Sequence, residues 1–96
     1  MILTFGNKLT EDLFDGDTSK ETRKFPPELH KAAIYKLTVL NRAEALEDLK
    51  APPSNRLEKK QGKLKDYWAI RINDQWRILF LWTEEGPADV QIVDYH

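Results

Sequence analysis

Apolar residues in the first half of the chain recur at spacings of three and four, and in the last third at spacings of two. The first pattern predicts helices and the second predicts strands. Ile2 to Phe5 is a short apolar stretch that reads as an edge strand, and Thr10-Glu-Asp-Leu-Phe reads as a short helix with Asn7 or Thr10 as its N-cap. Asp15 to Thr22 is polar and reads as a loop. Phe25-Pro-Pro-Glu-Leu opens the longest helix, because proline is tolerated in a first turn where its missing N–H would be unpaired anyway. Leu29, Ala33, Leu37 and Leu40 share one face of it, with His30, Lys31 and Lys36 elsewhere. A second short helix is expected from Glu44 to Leu49, and Ala51-Pro-Pro-Ser-Asn ends it, each proline biasing its predecessor away from helix.

After that break the period becomes two. Trp68, Ile70 and Ile72 alternate with Tyr67, Ala69 and Arg71, and Trp76, Ile78, Phe80 and Trp82 share one face. Glu84 to Asp89 reads as a turn and Val90 to His96 as a last strand. The fold class is α+β: N-terminal helices on a small antiparallel sheet, in a single domain spanning residues 1–96.

Strand parity fixes the first hairpin. Both apolar sets sit at even positions, so paired residue numbers must add to an even number for both faces to reach the core. A two-residue loop fails that condition, whereas the three-residue loop Asn73-Asp74-Gln75 meets it. Ile72 then faces Trp76, and Arg71 faces Arg77. Opposed like charges repel. Two readings follow: an anion bound between the arginines, or both splayed toward solvent or carboxylates.

Charge distribution bears on that choice. The whole chain is near neutral, but residues 51–77 hold seven basic and three acidic side chains, and residues 78–96 hold four acidic and none basic. A confined basic block suggests a local anion site rather than a broadly nucleic-acid-binding surface; the plain alternative is a solvated lysine-rich loop. There is no cysteine, hence no disulfide or thiolate metal site, and the two histidines lie far apart in sequence. No metal site and no cofactor are expected. No apolar run approaches the ~20 residues of a membrane helix, and the N-terminus lacks a secretory pattern, so a cytoplasmic protein with no membrane partner is expected.

Arg56, Lys59, Lys60, Lys63 and Lys65 precede the hairpin that carries Arg71 and Arg77, and the chain ends in Asp94-Tyr95-His96. A carboxylate, a phenol and an imidazole near several cations suit acid–base cleavage of a phosphodiester. RNA brings its own nucleophile, the 2′-hydroxyl, so an enzyme need only orient it, neutralise the phosphorane and protonate the 5′-oxygen. Each group also has a plainer reading: Tyr95 as packing, Asp94 as a strand cap or lysine partner, His96 as a terminal tail, His30 as a surface residue. Ser54 has no evident His–Asp relay.

Three segments together resemble the HigB toxins of the RelE superfamily: Asn55-Arg-Leu-Glu-Lys-Lys-Gln-Gly, Tyr67-Trp-Ala-Ile-Arg-Ile-Asn-Asp-Gln-Trp-Arg-Ile-Leu-Phe, and the terminal Asp94-Tyr95-His96. The resemblance implies a RelE-like fold and a ribosome-dependent mRNA endoribonuclease acting on mRNA in the A site. It implies a helix-turn-helix antitoxin of the HigA type, with operator DNA reached only through the antitoxin complex. It maps reactive roles onto Arg77, Asp94, Tyr95 and His96. Some relatives carry a histidine near the position of Glu58; here Glu58 either serves as a base in its place or holds Arg56 or a lysine. Arg56, Lys59, Lys60 and Arg71 are the expected RNA contacts, and His96 is the expected acid or base, imidazole having its unperturbed pKa near neutrality. The rival readings are a binding module of the same fold that has lost catalysis and acts with its antitoxin as a co-repressor, and a plain protein-interaction domain.

Overall fold

The computed structural model describes residues 1–95. Three helices, α1 (Lys8–Asp15), α2 (Lys20–Lys24) and α3 (His30–Arg42), precede four strands, β1 (Glu58–Lys59), β2 (Tyr67–Arg71), β3 (Trp76–Thr83) and β4 (Gly86–Asp94). The strands form one antiparallel sheet in the order β1-β2-β3-β4. Leu37 and Leu40 of α3 pack with Ile70, Ile78, Phe80, Val90 and Ile92 on the inner face of the sheet, all of them essentially buried. Phe25 closes the hairpin end of this core, its ring 4.9 Å from Trp76 in an edge-on contact and 5.6 Å from His30 in a stacked one.

The first hairpin has the expected register. Arg71 pairs with Arg77, and the N–H of Ile72 reaches the carbonyl of Trp76. Asn73 Oδ1 accepts the N–H groups of Gln75 (3.0 Å) and Trp76 (2.8 Å), which closes the three-residue turn from within.

Several elements differ from the sequence expectation. The polar stretch after α1 contains α2, because Ser19 and Thr22 cap each other's backbone N–H groups. Pro27–Leu29 is a 3₁₀ turn leading into α3 rather than its first α-turn. Leu46–Lys50 is also 3₁₀, with the Asp48 carboxylate accepting the N–H groups of Glu44 and Ala45 in competition with an α-helix. The final turn is shorter than expected and β4 longer: Thr83 pairs with Gly86, and Thr83 Oγ1 accepts the Glu85 and Gly86 N–H groups. Pro87 fits inside β4 because its carbonyl faces the N-terminal segment, accepting from Leu3, so its missing donor costs no bond to β3. Asp89, at φ 51°, forms a bulge that moves the β3–β4 register by one residue between Leu79 and Leu81. Lys36, expected away from the apolar face of α3, lies on it instead: it is buried, one turn from Ala33 and Leu40, and its ammonium donates to Asn55 Oδ1. Asn55 in turn donates to the carbonyls of Leu49 (3.1 Å) and Ala51 (3.2 Å), tying the 46–55 segment to α3.

The edge of β4 is covered from the N-terminus. Residues 3–6 run parallel to it, bridging at Phe5 and Val90, with Leu3, Gly6 and Val90 N–H groups bonded across. Where that segment turns into α1, side chains take over. Asn7 Nδ2 donates to the Ile92 carbonyl (3.0 Å), while Thr10 Oγ1 accepts the Ile92 N–H (2.8 Å) and donates to Asn7 Oδ1 (2.6 Å). The N-cap of α1 is therefore also the seal on β4. Thr10→Val keeps the volume of this fully buried side chain but strands the Ile92 N–H. The expected loss is about 1–3 kcal/mol of stability in urea unfolding, and an unchanged midpoint would contradict this role.

Candidate functional site

β-Pleating sends the odd residues of β2 and β3 to the face away from α3. Glu58, Ala69, Leu79 and Gln91 form one row across the four strands, with Arg71, Arg77 and Val93 in the next. Ala69 and Leu79 are buried although they face away from the helices. Tyr95 follows β4 and brings its ring to this face. Its centroid lies 4.9 Å from the Arg77 guanidinium carbon and 4.1 Å from Lys60 Nζ. Lys60 Nζ donates to the Tyr95 hydroxyl and lies 3.3 Å from Glu58 Oε1, and the hydroxyl itself is 3.5 Å from that same carboxylate oxygen. Beside them opens a cleft of about 320 Å³ lined by Glu58, Lys59, Lys60, Gln61 and Tyr95.

Four of the residues expected from sequence thus meet: Glu58, Lys60, Arg77 and Tyr95. Arg77 is held in place by backbone, its Nη1 donating to the carbonyls of Asn73 and, at 3.3 Å, Trp76. Those carbonyls orient the guanidinium and leave its charge intact. Arg71 stands directly across the ladder and is paired with Asp74. Asp94 lies at the rim, opposite Trp76, where Oδ2 accepts from Gln75 Nε2 at 3.1 Å. Lys59 walls the cleft with its ammonium turned away, 5.1 Å from the Trp68 ring centroid. Arg56 is exposed, in a left-handed conformation after the Pro53–Asn55 turn. His96 lies outside the described residues. His30 belongs to the fold rather than to this site or to open surface: its Nε2 is 3.0 Å from the Phe25 carbonyl. A separate cleft of about 240 Å³, lined by Leu13, Thr22, His30 and Ile34 among others, holds none of the basic residues of the 51–77 block.

Burial opposes the charge on Lys60, but hydrogen bonds to Tyr95 and Glu58, together with the Glu58 charge, outweigh it and raise its pKa above the ordinary lysine value. Lys60 is therefore a fixed cation at neutral pH, fitted to neutralise charge rather than to shuttle protons. Asn73 and Gln75 escaped sequence reading as site residues because they read as turn formers; their bonds to Arg77 and Asp94 depend on how the hairpin closes. Among the described residues no cluster of three His, Asp or Glu side chains is arranged to hold a metal ion, and no helix is long and apolar enough to cross a membrane.

A small antiparallel sheet backed by helices is the α+β fold of a RelE-like toxin. The chain belongs to the HigB-like toxin family, described as the RelE-like toxin of the type II toxin–antitoxin system HigB, which matches residues 3–96. It is 38% identical over 96 residues to Toxin HigB-1 of Vibrio cholerae serotype O1, covering all of this chain and 98% of that protein. It is 35% identical over 81 residues to an uncharacterized protein of Haemophilus influenzae, covering 84% of this chain and 76% of the relative. A toxin of such a system has an antitoxin as its partner.

Glu58→Gln removes the carboxylate that helps hold Lys60 charged. The Lys60 pKa is expected to fall toward the ordinary 10.5 in an NMR titration of its side chain. Because the folded-state pKa is raised, the associated stability is fully present below the ordinary lysine value and is lost as pH rises through the raised one. Stability differences between wild type and variant should therefore be flat through neutral pH and narrow only in strong alkali. An unmoved Lys60 titration would show that the Glu58 contact does not govern its charge.

Proposed function

We propose that this chain is a ribosome-dependent mRNA endoribonuclease, neutralised by an antitoxin of the helix-turn-helix HigA type. The observation that carries the reading is the convergence of Arg77, Lys60 and Glu58 on the ring and hydroxyl of Tyr95. Two cations against a partly exposed tyrosine form a place for a phosphodiester and an adjoining base. Attack by the 2′-hydroxyl on the neighbouring phosphorus forms the new P–O bond and breaks the bond to the 5′-oxygen, so the chain's own side chains suffice as catalysts. Arg77 and Lys60 stabilise the charge that grows on the phosphorane. Tyr95 stacks on or positions a base. In this reading Glu58, which shares hydrogen bonds with Lys60 and Tyr95, accepts the 2′-hydroxyl proton, and the imidazole of His96, a role that rests on the sequence alone, protonates the departing 5′-oxygen with Asp94 polarising it. Arg56, Lys59 and Arg71 meet flanking backbone.

The chain is nearly neutral, with a net charge of −1. It lacks the many phosphate contacts that hold naked RNA tightly, so the ribosome supplies much of the positioning, a term of about 7–11 kcal/mol in favourable cases. The complex with the antitoxin acts on operator DNA through the antitoxin's DNA-binding domain, and toxin and ribosome meet in the cytoplasm.

Inducing the chain should arrest growth, and primer extension on cellular mRNA should show new 5′ ends. Co-expression of the adjoining antitoxin should abolish both. Arg77→Ala should cut the cleavage rate by about 10²–10³ with an unchanged circular dichroism spectrum, since the side chain contributes no core packing. Normal growth with soluble protein accumulating would refute the toxin activity. Separately, purified protein should cleave ribosome-bound mRNA far faster than the same RNA free in solution, and equal rates on the two would remove the ribosome from the mechanism. Deleting His96 should flatten one limb of the pH–rate curve between about pH 5 and 8; an identical profile would transfer the acid–base role to Glu58 and Tyr95.

A further inference from the structure

Arg71 is a guanidinium largely withdrawn from solvent and lightly held. Its side chain is 24% exposed, while its ion-pair partner, Asp74, is 96% exposed on the hairpin loop. Arg71 Nε is buried and has no hydrogen-bond partner among the described residues. Arg77 stands directly opposite, bonded by Nη1 to uncharged carbonyls. Arg71, through its hydrogen bond and its charge, holds the Asp74 carboxyl below the ordinary aspartate range, with the charges of Arg56 and then Arg77 adding to it. On the other side Lys36, already disfavoured as a cation by its burial, is further disfavoured by Arg71. Positive charge thus gathers at this end of the sheet around a carboxylate that only a solvent-exposed loop keeps in place. Because the carboxylate stays almost fully hydrated on its loop, solvent screening limits what the pair contributes to stability. A guanidinium has five donors in a planar fork suited to two oxygens of one phosphate, and Asp74 reaches Arg71 through Nη2 alone.

We propose that Arg71 anchors a second phosphate subsite, for the phosphodiester neighbouring the one taken by Arg77 and Lys60, and that Asp74 is its resident stand-in, displaced when RNA binds. The proposal rests on the RNA-cleaving reading above and deepens it. Opposed residues of an antiparallel pair have Cα atoms about 4.5–5.5 Å apart, so one strand can offer successive phosphates to the two arginines. Asp74 offsets the like-charged pair in the free protein, and bound RNA supplies the anion in its place. Asp74 covers Arg71 in the free protein and thereby weakens RNA binding, which leaves selection to the ribosome.

The test uses two uncleavable probes, a 2′-O-methyl dinucleotide with one phosphodiester and a 2′-O-methyl tetranucleotide with three. Binding is measured by NMR titration at several salt concentrations for wild type, Asp74→Asn, Arg71→Gln and Arg77→Ala. The tetranucleotide should bind wild type more tightly than the dinucleotide. That advantage should grow several-fold in Asp74→Asn and disappear in Arg71→Gln, whose salt slope for the tetranucleotide should fall by about 0.7. Asp74→Asn touches an exposed loop side chain, so it reports even where Arg71→Gln perturbs the fold. An equal tetranucleotide advantage in wild type, Asp74→Asn and Arg71→Gln, with Arg77→Ala weakening both probes, overturns the second subsite and leaves the RNA reading standing. If Arg77→Ala weakens neither probe, both fall. If Asp74→Asn tightens the antitoxin but not the tetranucleotide, the subsite belongs to an acidic protein segment and the proposal fails.

Discussion

The register of the β2–β3 hairpin is the constraint from which the site follows. Side chains in a strand alternate between faces, so a slip of one residue would send Trp76, Ile78 and Phe80 outward and bring Arg77 into the core. Burial of the apolar set forbids that slip, and Asn73 reinforces the choice by accepting two N–H groups inside the turn. Placing Arg77 across from Arg71 is thus a by-product of packing the inner face. The same hydrophobic free energy that stabilises the sheet holds two guanidinium groups together against their repulsion. The outer face inherits its geometry, and its unsatisfied charge, from the core behind it.

Much of this was legible in the sequence because it depends on local period and parity. The run of apolar residues along α3, strands β2 and β3, the three-residue loop and the Arg71–Arg77 pairing all follow from spacing, whereas β1 and the true start of β4 do not. What was not legible depends on partners distant in the chain. Lys36 has the spacing of a core position, one turn from Ala33 and Leu40, but a lysine is admitted there only because Asn55 accepts from its ammonium while the stem lies among apolar neighbours. Pro87 reads as a turn residue until the N-terminal segment is seen to take its carbonyl. Asp89 gives no sign of a bulge, since aspartate in a left-handed conformation also suits an ordinary turn.

The candidate site divides along the same line. Family likeness and charge patterning named Arg77, Glu58, Lys60 and Tyr95, but nothing in the spacing shows that the Tyr95 ring crosses from the β4 side of the sheet to lie against both cations. That contact needs β1 to pair with β2 so that Lys60 and Glu58 arrive from the opposite edge. It also explains why Lys59 and Lys60, neighbours in sequence, have different surroundings: one ammonium sits over Trp68 and the other against Tyr95. A basic run reads as uniform along the chain, while the pleat of a two-residue strand divides it.

The seal on β4 carries a consequence for the order in which the molecule assembles. The groups that close that edge lie at opposite ends of the chain; Thr4 accepts from the Asp89 N–H across a separation of 85 residues, and Thr10 meets Ile92 across 82. Loop closure over such spans has a large entropic cost before any contact rewards it. Helices α1 and α3 and the β3–β4 hairpin rest on contacts local in sequence, whereas the seal of residues 4–10 on β4 joins the two ends of the chain. The strand that delivers Tyr95 to the site is therefore bordered on its outer edge by the opposite end of the chain, and the site's geometry depends on both termini being in place.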